Sequence, residues 1–216
     1  MALEALKRNG HNLGLGEFPS AGMYDIPVIQ PVLMTECADW LPFNAALSAK
    51  SPHRKSVHFF IDDYLFQRVW NDPKRYAALL ISFHAVMSPD FSLFTDYPMA
   101  VQIYNHYRKH LLAAYWQSQG LTVIPSVCWS DRDSYDWCFD GEPVGGTVAV
   151  SSVGTQKNPT AKVYFLDGYR EMMRRLTPEK IIFFGDVPDG CEGNIEQHPP
   201  YYAHVTETLA KSGGQR

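Results

Sequence analysis

The chain has 216 residues, with 19 Lys and Arg against 23 Asp and Glu for a formal net charge of −4. Hydrophobic residues make up 45% and charged ones 19%, a balance that excludes intrinsic disorder and argues against a strongly electropositive nucleic-acid surface over the whole molecule. The length suits a single α/β domain over residues 1–216, with residues 1–40 as an N-terminal extension and 189–216 as an irregular C-terminal tail.

Met1 to Gly16 carries Glu4, Lys7, Arg8 and His11 and no apolar signal region, so the expected location is cytoplasmic. Ile26 to Val32 is the first β-like run and Ser56 to Ile61 the second. Asp72 can cap a helix that opens at Pro73, and Tyr76, Leu79, Leu80 and Phe83 then share one face. Phe91 to Thr95 is a third β-like run. Pro98 opens the longest helix, Met99 to Gln119, in which Val101, Tyr104, Arg108, Leu111, Leu112 and Tyr115 recur at helical spacing, and Gly120 stops it.

Thr122 to Trp129 and Thr147 to Val153 follow as strands. Leu166, Tyr169, Met172, Met173 and Leu176 make another amphipathic helix, ended by Thr177 and Pro178, and Lys180 to Phe184 is the last strand. The tail holds Gly190, Gly193, Pro199 and Pro200, with a short helix expected near Tyr201 to Lys211.

Runs such as Ile181-Ile182-Phe183-Phe184 are continuously apolar, as strands covered on both faces are. The rhythm predicts a mostly parallel sheet of about six βα units, either an incomplete TIM-like barrel or a doubly wound sheet. No apolar stretch is long enough to span a membrane. Cys37, Cys128, Cys138 and Cys191 form no CxxC pair and read as scattered core thiols. Arg108-Lys109-His110 reads as part of a solvated helix face.

In parallel α/β folds the loops at the carboxyl ends of the strands collect the functional groups. That rule gathers Asp62, Asp63, Asp96, Asp131 and Asp186 at one rim as candidate catalytic carboxylates. Such a rim can bind Mg²⁺ or Mn²⁺, with Asp63 and Asp131 as the first ligands to test, or supply a general acid and base. Each aspartate also suits a helix cap or turn, and that reading stays open. Tyr64, Asn105, Arg108, Trp129, Ser130, Ser151 and Ser152 are the candidate substrate contacts. Neither a P-loop nor a GxSxG nor an HExxH motif is present.

Phe60-Ile61-Asp62-Asp63-Tyr64, Ser88-Pro89-Asp90-Phe91-Ser92, Gln102 to Arg108, Val123 to Ser130, Phe139-Asp140-Gly141 and Val150 to Gly154 together resemble the family named domain of unknown function 4417. The resemblance runs from about Leu41 to Pro188 and implies a phage or plasmid setting. It carries no reaction with it. Two functions therefore stand side by side: a metal-assisted hydrolase of a phosphoester, nucleotide or nucleic acid, and a non-enzymatic protein that engages a host or replication component. The expected partners are accordingly a small-molecule or nucleic-acid substrate, or a host protein.

Overall fold

The computed structural model describes residues 10–35 and 39–201. A short antiparallel hairpin comes first, β1 (Ser20–Ala21) with β2 (Ile26–Pro27). Four parallel strands follow in the order β3 (Asp39–Pro42), β4 (Lys55–His58), β5 (Ala85–Met87) and β6 (Val123–Ile124). Three more, β7 (Thr147–Ser151), β8 (Lys180–Phe184) and β9 (Ile195–His198), make a second parallel sheet. A parallel bridge between Ser126 and Ala149 connects the chain just past β6 to β7. The α/β class with a mostly parallel sheet is as expected. Strand order follows chain order with no reversal, so the topological switch point of a doubly wound sheet is absent among the described residues.

The Pro73–Leu80 helix starts as its sequence dictates, with Asp72 accepting the Arg75 N–H. Asn158 caps the Pro159–Leu176 helix by accepting from Thr160 and Ala161. One apolar core joins β4 to β6 with the inner faces of their helices, and a second joins β7 and β8 to the Pro159–Leu176 helix through Phe165, Tyr169 and Met172. Lys180–Phe184 is a strand over its whole expected span.

Several expected elements are different. Ile26 to Val32 is not a parallel strand: Pro27 and Pro31 lack the N–H that a central ladder needs, so only Ile26–Pro27 pairs, in the hairpin. Ile26 and Ile29 are nevertheless fully buried, so residues taken as an extension belong to the core. Phe91 to Thr95 is a loop, and Ala85–Met87 supplies the strand in its place. Strands β3 and β9 went unseen because both are sheet edges with polar residues such as Asp39, Glu196 and Gln197. Cys37 and the expected helix beyond Tyr201 lie outside the described residues.

The Met99–Ser118 helix buries Leu111, Leu112 and Tyr115 of its expected face, and its first half departs from that pattern. Val101 is exposed, and the buried side carries Gln102, Asn105, His106, Lys109 and His110 before it turns apolar at Leu111. Lys109 and His110 are therefore interior groups rather than a solvated face. No helix among the described residues is long and apolar enough to cross a membrane.

A cleft at the strand ends and the buried charges behind it

The chain segments that follow β4, β5, β6 and β7 surround a cleft of about 390 Å³. Its wall on the β5 side is the loop Asp90 to Thr95, and that loop is braced from behind. The Arg108 guanidinium lies 3.6 Å from the centre of the Phe91 ring while its Nε donates to Asn105 Oδ1 at 3.1 Å. Asn105 in turn donates to the Ser92 carbonyl at 2.7 Å. Asp63 accepts from both the backbone N–H and the hydroxyl of Ser92, at 3.1 and 2.7 Å. Three expected site residues thus shape the cleft from outside its lining.

Trp129 forms the opposite side and donates its indole N–H to the Tyr164 carbonyl at 3.2 Å, with Phe165 5.5 Å away. The indole packs against the helix at Gly168, where any Cβ would overlap it. Gly168→Ala should therefore displace Trp129. Overpacking of this kind costs about 1 to 3 kcal/mol, against about 1 kcal/mol regained from helix propensity. A change in tryptophan emission together with a lower urea midpoint would report it, and an unchanged spectrum would contradict it.

Of the remaining expected residues, Asp62, Ser130 and Ser151 line the cleft. Ser130 donates to Gln102 Oε1 at 2.7 Å, which holds it to the long helix. Ser152 lies behind, its hydroxyl bonded to the Asp186 carbonyl at 2.6 Å. Asp131 caps a short 3-10 turn, Arg132–Asp136, by accepting the Asp133 N–H at 3.1 Å. Asp96 and Asp186 are exposed, and so is Tyr64, at 76%. The five aspartates do not gather: Asp62 alone of them lines the cleft, and the proposed metal pair is divided between bracing Ser92 and capping a turn.

The carboxyl that sequence reasoning missed is Asp90. It lines the cleft, and its Oδ1 is buried without a hydrogen-bond partner. Burial pushes its pKa up to about 7, opposed by the Lys109 charge and helped by Asp63. Cys128 hydrogen-bonds to the same carboxyl, and burial raises its thiol well above the ordinary range. The available signal was Ser88-Pro89-Asp90, a proline break that ends β5 before Asp90.

Behind Asp90 lies Lys109, fully buried, donating to Glu142 Oε1 at 2.7 Å and to the Ser126 carbonyl at 2.9 Å. Burial disfavours its ammonium, but Cys128, Glu142 and Asp90 outweigh that and raise its pKa. Burial also acts against the Glu142 carboxylate, and Lys109 and His110 outweigh it, so that its pKa falls. His106 and His110 are held below the ordinary histidine value by burial.

A family model described as "Domain of unknown function (DUF4417)" matches residues 18–200. The chain belongs to the DUF4417 family. The match extends past the Leu41 to Pro188 span at both ends, taking in the β1–β2 hairpin and β9 together with the cleft and the buried charges. Among curated relatives, the "Gene 1 protein" of Mycobacterium phage D29 is 35% identical over 195 residues, covering 86% of this chain and 70% of that protein. The "Gene 1 protein" of Mycobacterium phage L5 is 36% identical over 203 residues, covering 91% and 87%. No solved structure matches this DUF4417 chain. The setting is thus a phage-associated family, in agreement with the resemblance.

Proposed function

We propose that the protein is an acid–base hydrolase of a small uncharged ligand that presents a planar or sugar ring, with Asp90 as the proton donor. The observation that carries this reading is Asp90 itself, a cleft-lining carboxyl with one sealed oxygen and a pKa near 7. Phe60, Phe94, Trp129 and Tyr164 offer ring faces around it. The lining contains two carboxyls, Asp62 and Asp90, and no Lys, Arg or His among the described residues, which favours a neutral ligand over a phosphate. In the reaction, Asp90 gives its proton to the leaving oxygen or nitrogen as the bond to carbon breaks. Water adds to that carbon and passes its proton to Asp62, which releases it to solvent while solvent returns a proton to Asp90.

Titrating the protein with uncharged nucleosides and monosaccharides, followed by Trp129 fluorescence and product chromatography, tests the assignment. Binding and turnover without added metal are expected, with Asp90→Asn retaining binding and losing about 100-fold or more in turnover. Full turnover by Asp90→Asn would refute it. Turnover of phosphoesters, nucleotides or nucleic acid only with Mg²⁺ or Mn²⁺ would restore the metal-assisted reading instead. A second reading, a protein that engages a host or replication component, is favoured by exposed Phe94, Tyr97, Met99 and Val101 beside the cleft. Retained association after Phe94→Ser and Tyr97→Ser would remove that support.

A further inference from the structure

His106 and His110 lie one turn apart on the Met99–Ser118 helix, and Glu142 meets them from the segment after Phe139. One ligating atom from each residue lies within 4.8 Å of the others. All three are sealed from solvent, at 1%, 0% and 7% exposure.

The ring nitrogens are sorted by their neighbours. His106 Nε2 is 3.0 Å from the Asp140 carbonyl and His110 Nδ1 is 2.8 Å from the Pro27 carbonyl. Carbonyl oxygens only accept, so those nitrogens carry protons, and in the neutral rings that burial favours the opposite ones, His106 Nδ1 and His110 Nε2, hold lone pairs. Backbone carbonyls fixing the outer nitrogens in this way are the usual support of metal-ligating histidines.

What remains inside is a surplus of acceptors. His106 Nδ1 and Glu142 Oε2 have no hydrogen-bond partner. His110 Nε2 faces Glu142 Oε1 at 3.1 Å, a contact that needs either a metal ion or a second ring proton between the two atoms. Lys109 already occupies one side of Oε1, which leaves Oε2 open. Gly141, at φ +75°, lets the backbone close around the group: a Cβ there would stand 2.6 Å from the Pro27 carbonyl and 2.9 Å from His110 Nδ1.

We propose that His106 Nδ1, His110 Nε2 and the Glu142 carboxylate form a buried binding site for a divalent metal ion. Two imidazoles and one carboxylate suit Zn²⁺ first, with Fe²⁺ as the related alternative. None of the three lines the cleft, so the ion is structural and joins the long helix to the Pro27 hairpin and the Glu142 segment. The site is independent of the hydrolase reading.

The 216-residue chain, stripped with a chelator, is titrated with Zn²⁺ and, in parallel, with Fe²⁺ and Mn²⁺. One equivalent of Zn²⁺ or Fe²⁺ per chain is expected, with a melting temperature raised by several degrees. His106→Gln should abolish binding, and His53→Gln, at an exposed histidine, should leave it unchanged. Nitrogen NMR of the wild-type chain decides the matter even if the His106 variant fails to fold. Protons on both ring nitrogens of His110 with no bound equivalent would overturn the proposal, and so would binding that persists in His106→Gln.

Discussion

Lys109→Met is expected to lower the unfolding free energy by about 3 to 5 kcal/mol. The substitution keeps most of the apolar stem but removes the ammonium that lies 2.7 Å from a buried Glu142. It also leaves the Ser126 carbonyl without its 2.9 Å donor. The large cost comes from stranding a carboxylate in a medium that solvates it poorly, and it exceeds what the pair contributes relative to an apolar replacement. The double variant Lys109→Met, Glu142→Gln should therefore recover much of the loss. A urea-denaturation double-mutant cycle measures the coupling, and additive single effects would show that the two charges do not act as a pair.

Asp90→Asn is expected to change how stability depends on pH. The folded carboxyl holds its proton up to about pH 7, whereas the unfolded chain releases it near 3.8. Between those values the native state binds more protons than the unfolded state, so unfolding free energy falls as pH rises. The contribution is complete below 3.8 and is lost as pH climbs through 7. Across the window the fall amounts to about 2 to 4 kcal/mol, allowing for relaxation around the charged form. Asparagine cannot ionise, so the variant should lack this fall and gain on the wild type between pH 4.5 and 8. Parallel stability curves for the two proteins would remove Asp90 from any acid–base role.

The elements that were legible in the sequence are those whose local chemistry and tertiary role agree. Lys180–Phe184 is continuously apolar and is a covered strand. Asp72-Pro73 is both a capping sequence and a helix start. The rule that strand ends carry function pointed to the rim where the cleft lies, because every parallel strand delivers its next residues to the same side. It named Asp62, Ser130 and Ser151, which line the cleft together with Trp129, singled out as an aromatic beside the acidic stretch.

Elements failed to show where burial and polarity part company. The long helix buries Leu111, Leu112 and Tyr115 as their spacing predicts, but it also buries Asn105, His106, Lys109 and His110 and leaves Val101 outside, which no apolar stripe announces. Nothing local distinguishes a lysine paired with Glu142 across 33 positions from one on a wet surface. Asp90 was hidden for the same reason: burial raises its pKa, with Lys109, Asp63 and Cys128 adjusting it, and chain folding alone supplies all of these. Aspartates that looked equivalent at the rim separate by what receives them, Asp63 by Ser92 and Asp131 by the Asp133 N–H.

By itself, then, the sequence determined the α/β class, the helices and the end of the sheet that carries the cleft, because those follow from hydrophobic period, caps and proline. The tertiary structure decided which carboxyl is poised near neutrality and which cation is buried beside it. Both depend on desolvation and on charges a few ångströms away in space, and neither quantity is encoded in any one stretch of chain.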